Sequence, residues 1–267
     1  MGKISLRTMA VSYLAFMLIL PLSAVLHDGL KDGTLSFLGH VTRPTAWHAL
    51  KLTLWTAMVM AVVNAVMGTL TAYVLVRYSF PGRTLINSLI DLPFAIPTLV
   101  TGVTLVYMYG PQQALGSWFK HRMGWEIIFA PPGIILALLF VTFPFVVRSV
   151  EPVLMEIDPD EEEAARSLGA SAWTTFWRIL LPTLLPAILT GTLLAFARAI
   201  GEFGSIVVVA GNIPFKSQTA AVYVLGEIES QNQQGASAMS IVLVALSFSL
   251  IFVVDWLQKR KSKVHVS

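Results

Sequence analysis

Six stretches of this chain carry no Asp, Glu, Lys or Arg. They are Met9–Leu26, Leu52–Val76, Leu92–Tyr109, Ile127–Val147, Ile179–Ala197 and Ser230–Val254, each 18 to 25 residues long. A bilayer core about 30 Å thick is crossed by about 20 apolar residues in a helix. Inside hydrocarbon every backbone N–H and C=O must be satisfied within the protein, so these stretches are expected to be helices. The competing reading is a soluble protein with long buried helices, and composition disfavours it. Only 12 % of the 267 residues are D, E, K or R. A soluble domain carries about 25 %, so this chain could not cover its own surface with polar groups. Lys3 and Arg7 would suit the basic start of a signal peptide. The apolar stretch behind them exceeds the roughly 7–15 residues of such a segment, and no small-x-small site follows Leu26. It is read as an uncleaved first span.

An even number of spans puts both ends of the chain on one side. On that side fall 11 basic residues: Lys3, Arg7, Arg77, Arg83, Arg148, Arg166, Arg178, Lys259, Arg260, Lys261 and Lys263. The other side carries 6, namely Lys31, Arg43, Lys51, Lys120, Arg122 and Lys216, while Arg198 falls within a span. The positive-inside rule then predicts cytoplasmic termini, with 27–50, 110–126 and 211–230 facing outward. Trp47, Trp118 and Trp125 lie near those outer ends, where amphipathic rings suit the interface. The net charge of +3 is read as topology, not as a nucleic-acid footprint. No cysteine is present, so there is neither a disulfide framework nor a thiol site. The five histidines, His27, His40, His48, His121 and His265, are scattered, and no metal site is expected.

The inward-facing segment 148–182 is unlike the rest. Between positions 156 and 163 it concentrates Glu156, Asp158, Asp160, Glu161, Glu162 and Glu163, six of the 15 acids. Asp158 suits an N-cap, Pro159 suits the first helical position, and Glu161 three residues after the cap approaches a capping box. A short helix is predicted from Pro159 to about Leu168, ended by Gly169 in the left-handed conformation. Ser171 can cap a second short helix that ends before Pro182. On it Trp173, Phe176, Trp177 and Leu180 would share one face at i, i+3, i+4 and i+7. On the first helix Ala164, Ala165 and Leu168 form a small-residue face. The predicted object is a helix–Gly–helix elbow at the membrane surface.

The elbow carries a motif. Glu163-Ala164-Ala165 is followed by three residues, Gly169, nine residues, and Ile179-Leu180-Leu181-Pro182. Each fixed position resembles the EAA motif of ABC importer permeases. Phe80-Pro81-Gly82-Arg83, Asp91-Leu92-Pro93-Phe94-Ala95-Ile96-Pro97-Thr98, Phe143-Pro144-Phe145-Val146-Val147-Arg148 and Gly201-Glu202-Phe203-Gly204 look like the sulfate and molybdate branch of that family. Within the branch the chain is most similar to the T-type permeases of sulfate and thiosulfate importers, through its additional first span and the Ala210-Gly211-Asn212-Ile213 region. The resemblance covers about residues 47–256. It implies an all-α polytopic protein of six transmembrane helices with the type-1 ABC importer permease fold, in a bacterial plasma (inner) membrane. It divides the chain into a leading part (1–46), a permease core (47–256, with the elbow at about 152–182) and a basic tail (257–267).

The resemblance also implies partners: a second, paralogous permease, two ABC ATPase subunits and an extracytoplasmic sulfate/thiosulfate-binding protein, in a lipid membrane and without nucleic acid. Glu163, Ala164, Ala165 and Gly169 would meet the ATPase, with Ile179, Leu181 and Pro182 setting the angle of re-entry. ATP and Mg would bind the partner, and this chain would be a non-catalytic subunit without cofactor of its own. Its sequence lacks the G-x-x-x-x-G-K-[ST] loop whose backbone amides cradle phosphates. The alternatives are a molybdate/tungstate permease and an ion-coupled secondary carrier.

The remaining candidates are polar groups in or beside spans. Each of Asp91, Arg198 and Glu202 costs about 2.5–3.5 kcal/mol at a helix centre and should face the bundle or a wet path. Arg198 and Glu202 are spaced i, i+4 and can pair. Asp91 could cap the helix broken by Pro93 and Pro97, or lie beside Arg83. Thr98, Thr101 and Thr104 recur after that break and could line an anion path with their hydroxyls, unless they bond back to their own helix. Pro144, Gly201 and Gly204 mark further joints.

Overall fold

The computed structural model describes the backbone of residues 3–264 and the side chains of residues 6–253. The side chains of Lys3 and of the basic tail at 257–267, and all of His265, lie outside the described residues. The described backbone is helical. In chain order it runs α1 (Lys3–Leu30), α2 (Gly33–Val41), α3 (Pro44–Arg77), α4 (Arg83–Ile90), α5 (Leu92–Ala95), α6 (Thr98–Tyr109), α7 (Ala114–Met123), α8 (Pro131–Glu156), α9 (Pro159–Ser167) and α10 (Ala172–Thr175). A single π-helical turn (Phe176–Leu180) leads into α11 (Leu181–Ile200), followed by α12 (Gly204–Ala210), α13 (Ala220–Glu229) and α14 (Gln233–Val264).

Five helical runs among the described residues are long and apolar enough to cross a membrane: Leu6–Leu30, Pro44–Arg77, Pro131–Glu156, Ala172–Ile200 and Gln233–Val253. The sixth expected span, Leu92–Tyr109, is shorter as a helix. Pro97 has no N–H and pushes the residue before it toward extended backbone. Ile96 accordingly sits at φ −88° and ψ 128°, and the helix restarts at Thr98. Only the 12 residues of α6 remain, about 18 Å at 1.5 Å per residue. Helix boundaries also shift from the ends of the charge-free stretches. The helix expected from Ile127 begins at Pro131 instead, because Phe129 adopts φ 61° and Pro131 starts the first turn. It then continues past Arg148 to Glu156, so the loop that follows is shorter than the expected 148–182.

The centre is a three-helix layer of α3, α8 and α11. Met60, Ala61 and Leu75 of α3, Leu138, Val146 and Val150 of α8, and Leu184 and Ala195 of α11 share one buried cluster. Lipid tails are as apolar as these side chains, so close packing must hold spans together. Small residues permit it: a Cβ on Gly68 would meet Val146 at 2.9 Å, and one on Gly191 would meet the Phe145 carbonyl at 2.9 Å. A polar contact crosses the same layer, Asn64 Nδ2 donating to Thr142 Oγ1 at 2.9 Å. Burial ranks the spans: 56 % of the apolar window of α8 is buried in the molecule and none of that of α1. The C-terminal end of α1 is tied to α14 by Ser237 Oγ donating to Asp28 Oδ2 at 2.8 Å.

Candidate functional site

The elbow forms by local rules. Asp158 Oδ1 accepts from the Asp160 N–H at 3.0 Å, and Pro159 opens the first turn of α9. Only half of the expected capping box is made, since the cap bonds the second helical N–H and no bond returns from Glu161 among the described residues. The far end closes with both bonds of a Schellman turn. Gly169 N donates to Arg166 O at 2.9 Å and Ala170 N to Ala165 O at 3.0 Å. Gly169 itself has φ 84°, as expected. Glu163, Ala164, Leu168 and Gly169 are exposed and Ala165 is half-buried, so α9 presents a small, acidic surface.

The second half departs from expectation. Ser171 does cap α10, its Oγ accepting from Thr174 N at 3.2 Å. The helix does not end before Pro182, however, but runs from Ala172 to Ile200 as one span of 29 residues. The π-helical turn absorbs the proline. Pro182 lacks an N–H and its ring would strike the carbonyl four residues earlier in a regular helix. Widening the turn, with Leu181 N bonded to Phe176 O, lets the chain pass. The same widening splits the expected aromatic face. Phe176 and Leu180 pack into the core, while Trp173 and Trp177 stack edge-on at 5.4 Å and stay exposed. Ile179 and Leu181 are half-buried and Pro182 is exposed.

Glu162, which the sequence reading did not single out, is buried beneath the elbow. Its Oε1 accepts from Arg77 Nε at 2.7 Å. The i, i+4 spacing to Arg166 could have flagged it, and those groups lie 3.7 Å apart. Nothing in the sequence links it to Arg77.

The intramembrane candidates fall in two places. Arg198 Nη2 meets Glu202 Oε2 at 2.7 Å, so the expected pair exists. The other oxygen of Glu202 accepts from Ser205 N at 2.9 Å and Ser205 Oγ at 2.8 Å, capping the start of α12. The Glu202 side chain is 1 % exposed and that of Arg198 36 %, so the guanidinium is the accessible member. Beside them α6 and α12 meet backbone to backbone. A Cβ on Gly102 would lie 2.6 Å from Ser205 O, and one on Gly204 2.2 Å from Thr98 Oγ1. Thr98 is thus at this junction, Thr101 is buried next to Gly102, and Thr104 bonds back to Val100 O at 2.9 Å.

Asp91 is elsewhere. It neither caps α5 nor pairs with Arg83; its carboxylate accepts from Arg148 at 2.6 and 2.8 Å. Arg148 also donates to Asn87 Oδ1, Asn87 O and Glu151. Arg83 begins α4 and Asp91 caps its far end, about 12 Å away at 1.5 Å per residue, whereas Arg148 projects from α8 with a fork that matches a carboxylate. Asp91 therefore ties the α4–α5 corner to α8.

The opposite face carries Glu126, held between Lys216 at 2.9 Å and Lys120 at 3.1 Å. Hydrogen bonds from Lys216, then Lys120, hold its carboxyl below the usual carboxylate range. This bridge joins the loop after α7 to the loop after α12. Among the described residues no group of three or more His, Asp or Glu is placed to hold a metal ion.

The sequence of the family described as binding-protein-dependent transport system inner membrane component matches residues 64–263. A probable sulfate transport system permease protein of Chlorokybus atmophyticus is 46 % identical over 250 residues, covering 94 % of this chain and 87 % of its own. The sulfate transport system permease protein of Escherichia coli is 38 % identical over 248 residues, covering 93 % and 89 %. In fold, a chain of a bacterial alginate ABC transporter, solved with an alginate pentasaccharide-bound periplasmic protein, superposes with TM-score 0.76 at 17 % identity, covering 97 % and 95 %.

Proposed function

The chain belongs to the binding-protein-dependent transport system inner membrane components, and from that premise we propose that it is the T-type permease of an ATP-driven sulfate and thiosulfate importer. As a member of the family it is a multi-pass permease subunit of the inner membrane, and ATP hydrolysis belongs to a partner. The observation that carries the choice of ion is the 46 % identity to a sulfate permease along 94 % of this chain. In this reading a second, paralogous permease completes the path, two ATPases bind on the cytoplasmic side, and a sulfate/thiosulfate-binding protein docks outside. The termini are cytoplasmic, as the 11 to 6 distribution of basic residues supports.

The geometry suits such a role in two places. The exposed Glu163, Ala164 and Gly169 surface would sit in a cleft of the ATPase, with Ala165 behind it, and Ile179, Leu181 and Pro182 would join it to the span. Small side chains let another protein approach closely, and Glu163 gives the contact a charge. Within the span, Arg198 is half-neutralised by Glu202. A guanidinium so paired can meet a dianion without holding it tightly, which suits a path that must release its cargo. The hydroxyls of Thr98 and Thr101 lie at the same junction as that pair.

Uptake of labelled sulfate and labelled molybdate in a strain lacking the chain tests the choice. Sulfate uptake should be lost and should return with the wild-type chain. Loss of molybdate uptake alone would replace sulfate by molybdate. Uptake that persists when ATP is depleted and the membrane potential is held would point to an ion-coupled carrier instead.

A further inference from the structure

Of the acidic run Asp160–Glu163 only Glu162 is buried, at 5 % exposure. Its Oε1 accepts from Arg77 Nε at 2.7 Å, and Arg77 Nη2 donates to the carbonyl of Ile157 at 3.1 Å. Arg77 is the last residue of α3, and Ile157 is the residue at which α8 ends. Tyr73 donates to the second oxygen of Glu162 at 3.5 Å. One guanidinium therefore joins the end of α3, the end of α8 and the middle of α9.

Little else seats α9 on the bundle. No apolar side chain of α9 itself is buried: Leu168 at its far end is 89 % exposed, and the buried Ile157 before its cap belongs to the end of α8. A crevice of about 240 Å³ opens beside the pair, between Tyr73 and Tyr78 on one side and Pro159, Glu163 and Arg166 on the other. The helix is thus held by a directional polar contact and not by apolar packing. A forked guanidinium bonded to a carboxylate and a carbonyl fixes an angle, which a greasy contact does not. Losing one member of such a buried pair strands the other charge.

We propose that the Arg77–Glu162 pair is the pivot of the elbow: it sets the angle of α9 and passes its displacement into α3 as well as into the span that follows α10. The inference rests on the reading of the elbow as the ATPase contact. Arg77 and Glu162 are positioning residues; neither touches nucleotide or transported ion in this scheme.

The absence of cysteine gives a direct test. A spin label on Ser167→Cys, at the exposed end of α9, reports the order of the elbow in the complete transporter in lipid vesicles. With Arg77 and Glu162 intact the spectrum should be immobilised. Glu162→Gln should add a mobile component and lower ATP-driven sulfate import by about tenfold or more. The exchange Arg77→Glu with Glu162→Arg should restore immobilisation and raise import at least about threefold above Glu162→Gln, because the opposite charges again face each other. An unchanged spectrum in Glu162→Gln, undiminished import in it, or an exchange variant no better than the single change would overturn the proposal. If the labelled parent behaves as described but imports no sulfate, the choice of ion fails while the pivot, read from the spectra of the variants, stands.

Discussion

Glu202 is almost wholly shielded, yet three donors converge on it from Arg198 and Ser205. Removing Arg198 leaves the carboxylate with Ser205 alone. Because the guanidinium is 36 % exposed, the cost of Arg198→Ala should be at the lower end for a stranded charge, about 1–3 kcal/mol. Thermal unfolding in detergent should show the loss, and the double change with Glu202→Ala should recover part of it. A double variant no more stable than Arg198→Ala refutes the pairing. Tyr223 of α13 gives a pH-dependent counterpart. Burial, together with the carboxylate of Glu227 beside it, pushes the phenol up to about 12. A phenol free in the unfolded chain titrates near 10. The neutral form is thus favoured by folding, and its contribution is intact below about pH 10 and lost as pH rises toward 12. Tyr223→Phe should flatten the fall in stability over that interval and remove the latest part of the tyrosinate absorbance titration. Persistence of both features in the variant would exclude Tyr223 as their source. At this scale the sequence was legible where partners are four residues apart, as for Arg198 and Glu202. It was silent where they are not: Arg77 meets Glu162 only because α3 converges with α9, and Asp91 meets Arg148 only because the α4–α5 corner packs on α8.

Among the elements, α9 was readable almost residue by residue, because capping is local chemistry. Asp158, Pro159 and Gly169 each do what their type requires. The left-handed Gly169 carries the clearest prediction. A side chain there would meet nothing within 4 Å, so the cost of Gly169→Val is purely one of backbone, about 1–2 kcal/mol. The variant should insert normally, while ATP hydrolysis by the assembled transporter should lose its response to loaded binding protein. Normal stimulation would show that the turn is dispensable for coupling. Two elements differ from the expectation in where their helices begin or end, for the opposite reason. Pro182 reads as a helix stop, but a wider turn lets the helix pass it. Leu92–Tyr109 reads as a span by the absence of charge, which says nothing about whether its backbone bonds can continue through Pro97. Hydropathy reports the solvent a segment tolerates, whereas proline geometry decides its continuity.

The molecule as a whole was set by its apolar stretches, since a bilayer leaves the backbone few options. What those stretches could not give is their order from centre to edge. That order depends on small residues such as Gly68 and Gly191, placed where two helices touch. Sidedness is open to measurement in a chain without native cysteine. Single cysteines at Ser167 and at Trp125 should be labelled by a membrane-impermeant maleimide from opposite sides, Ser167→Cys only in inverted vesicles and Trp125→Cys in intact cells. Labelling of both from one side would break the topology on which the elbow's role depends. If the topology holds, the unbroken run from Ala172 to Ile200 has a mechanical meaning. Its 29 residues reach about 43 Å at 1.5 Å per residue, more than a hydrocarbon core is thick. A continuous helix of that reach can carry a nudge at its elbow end to the neighbourhood of Arg198 at the other. In the proposed scheme the elbow that meets the ATPase and the Arg198 end of the path are then two ends of one helix, and no relay has to carry word across the bilayer.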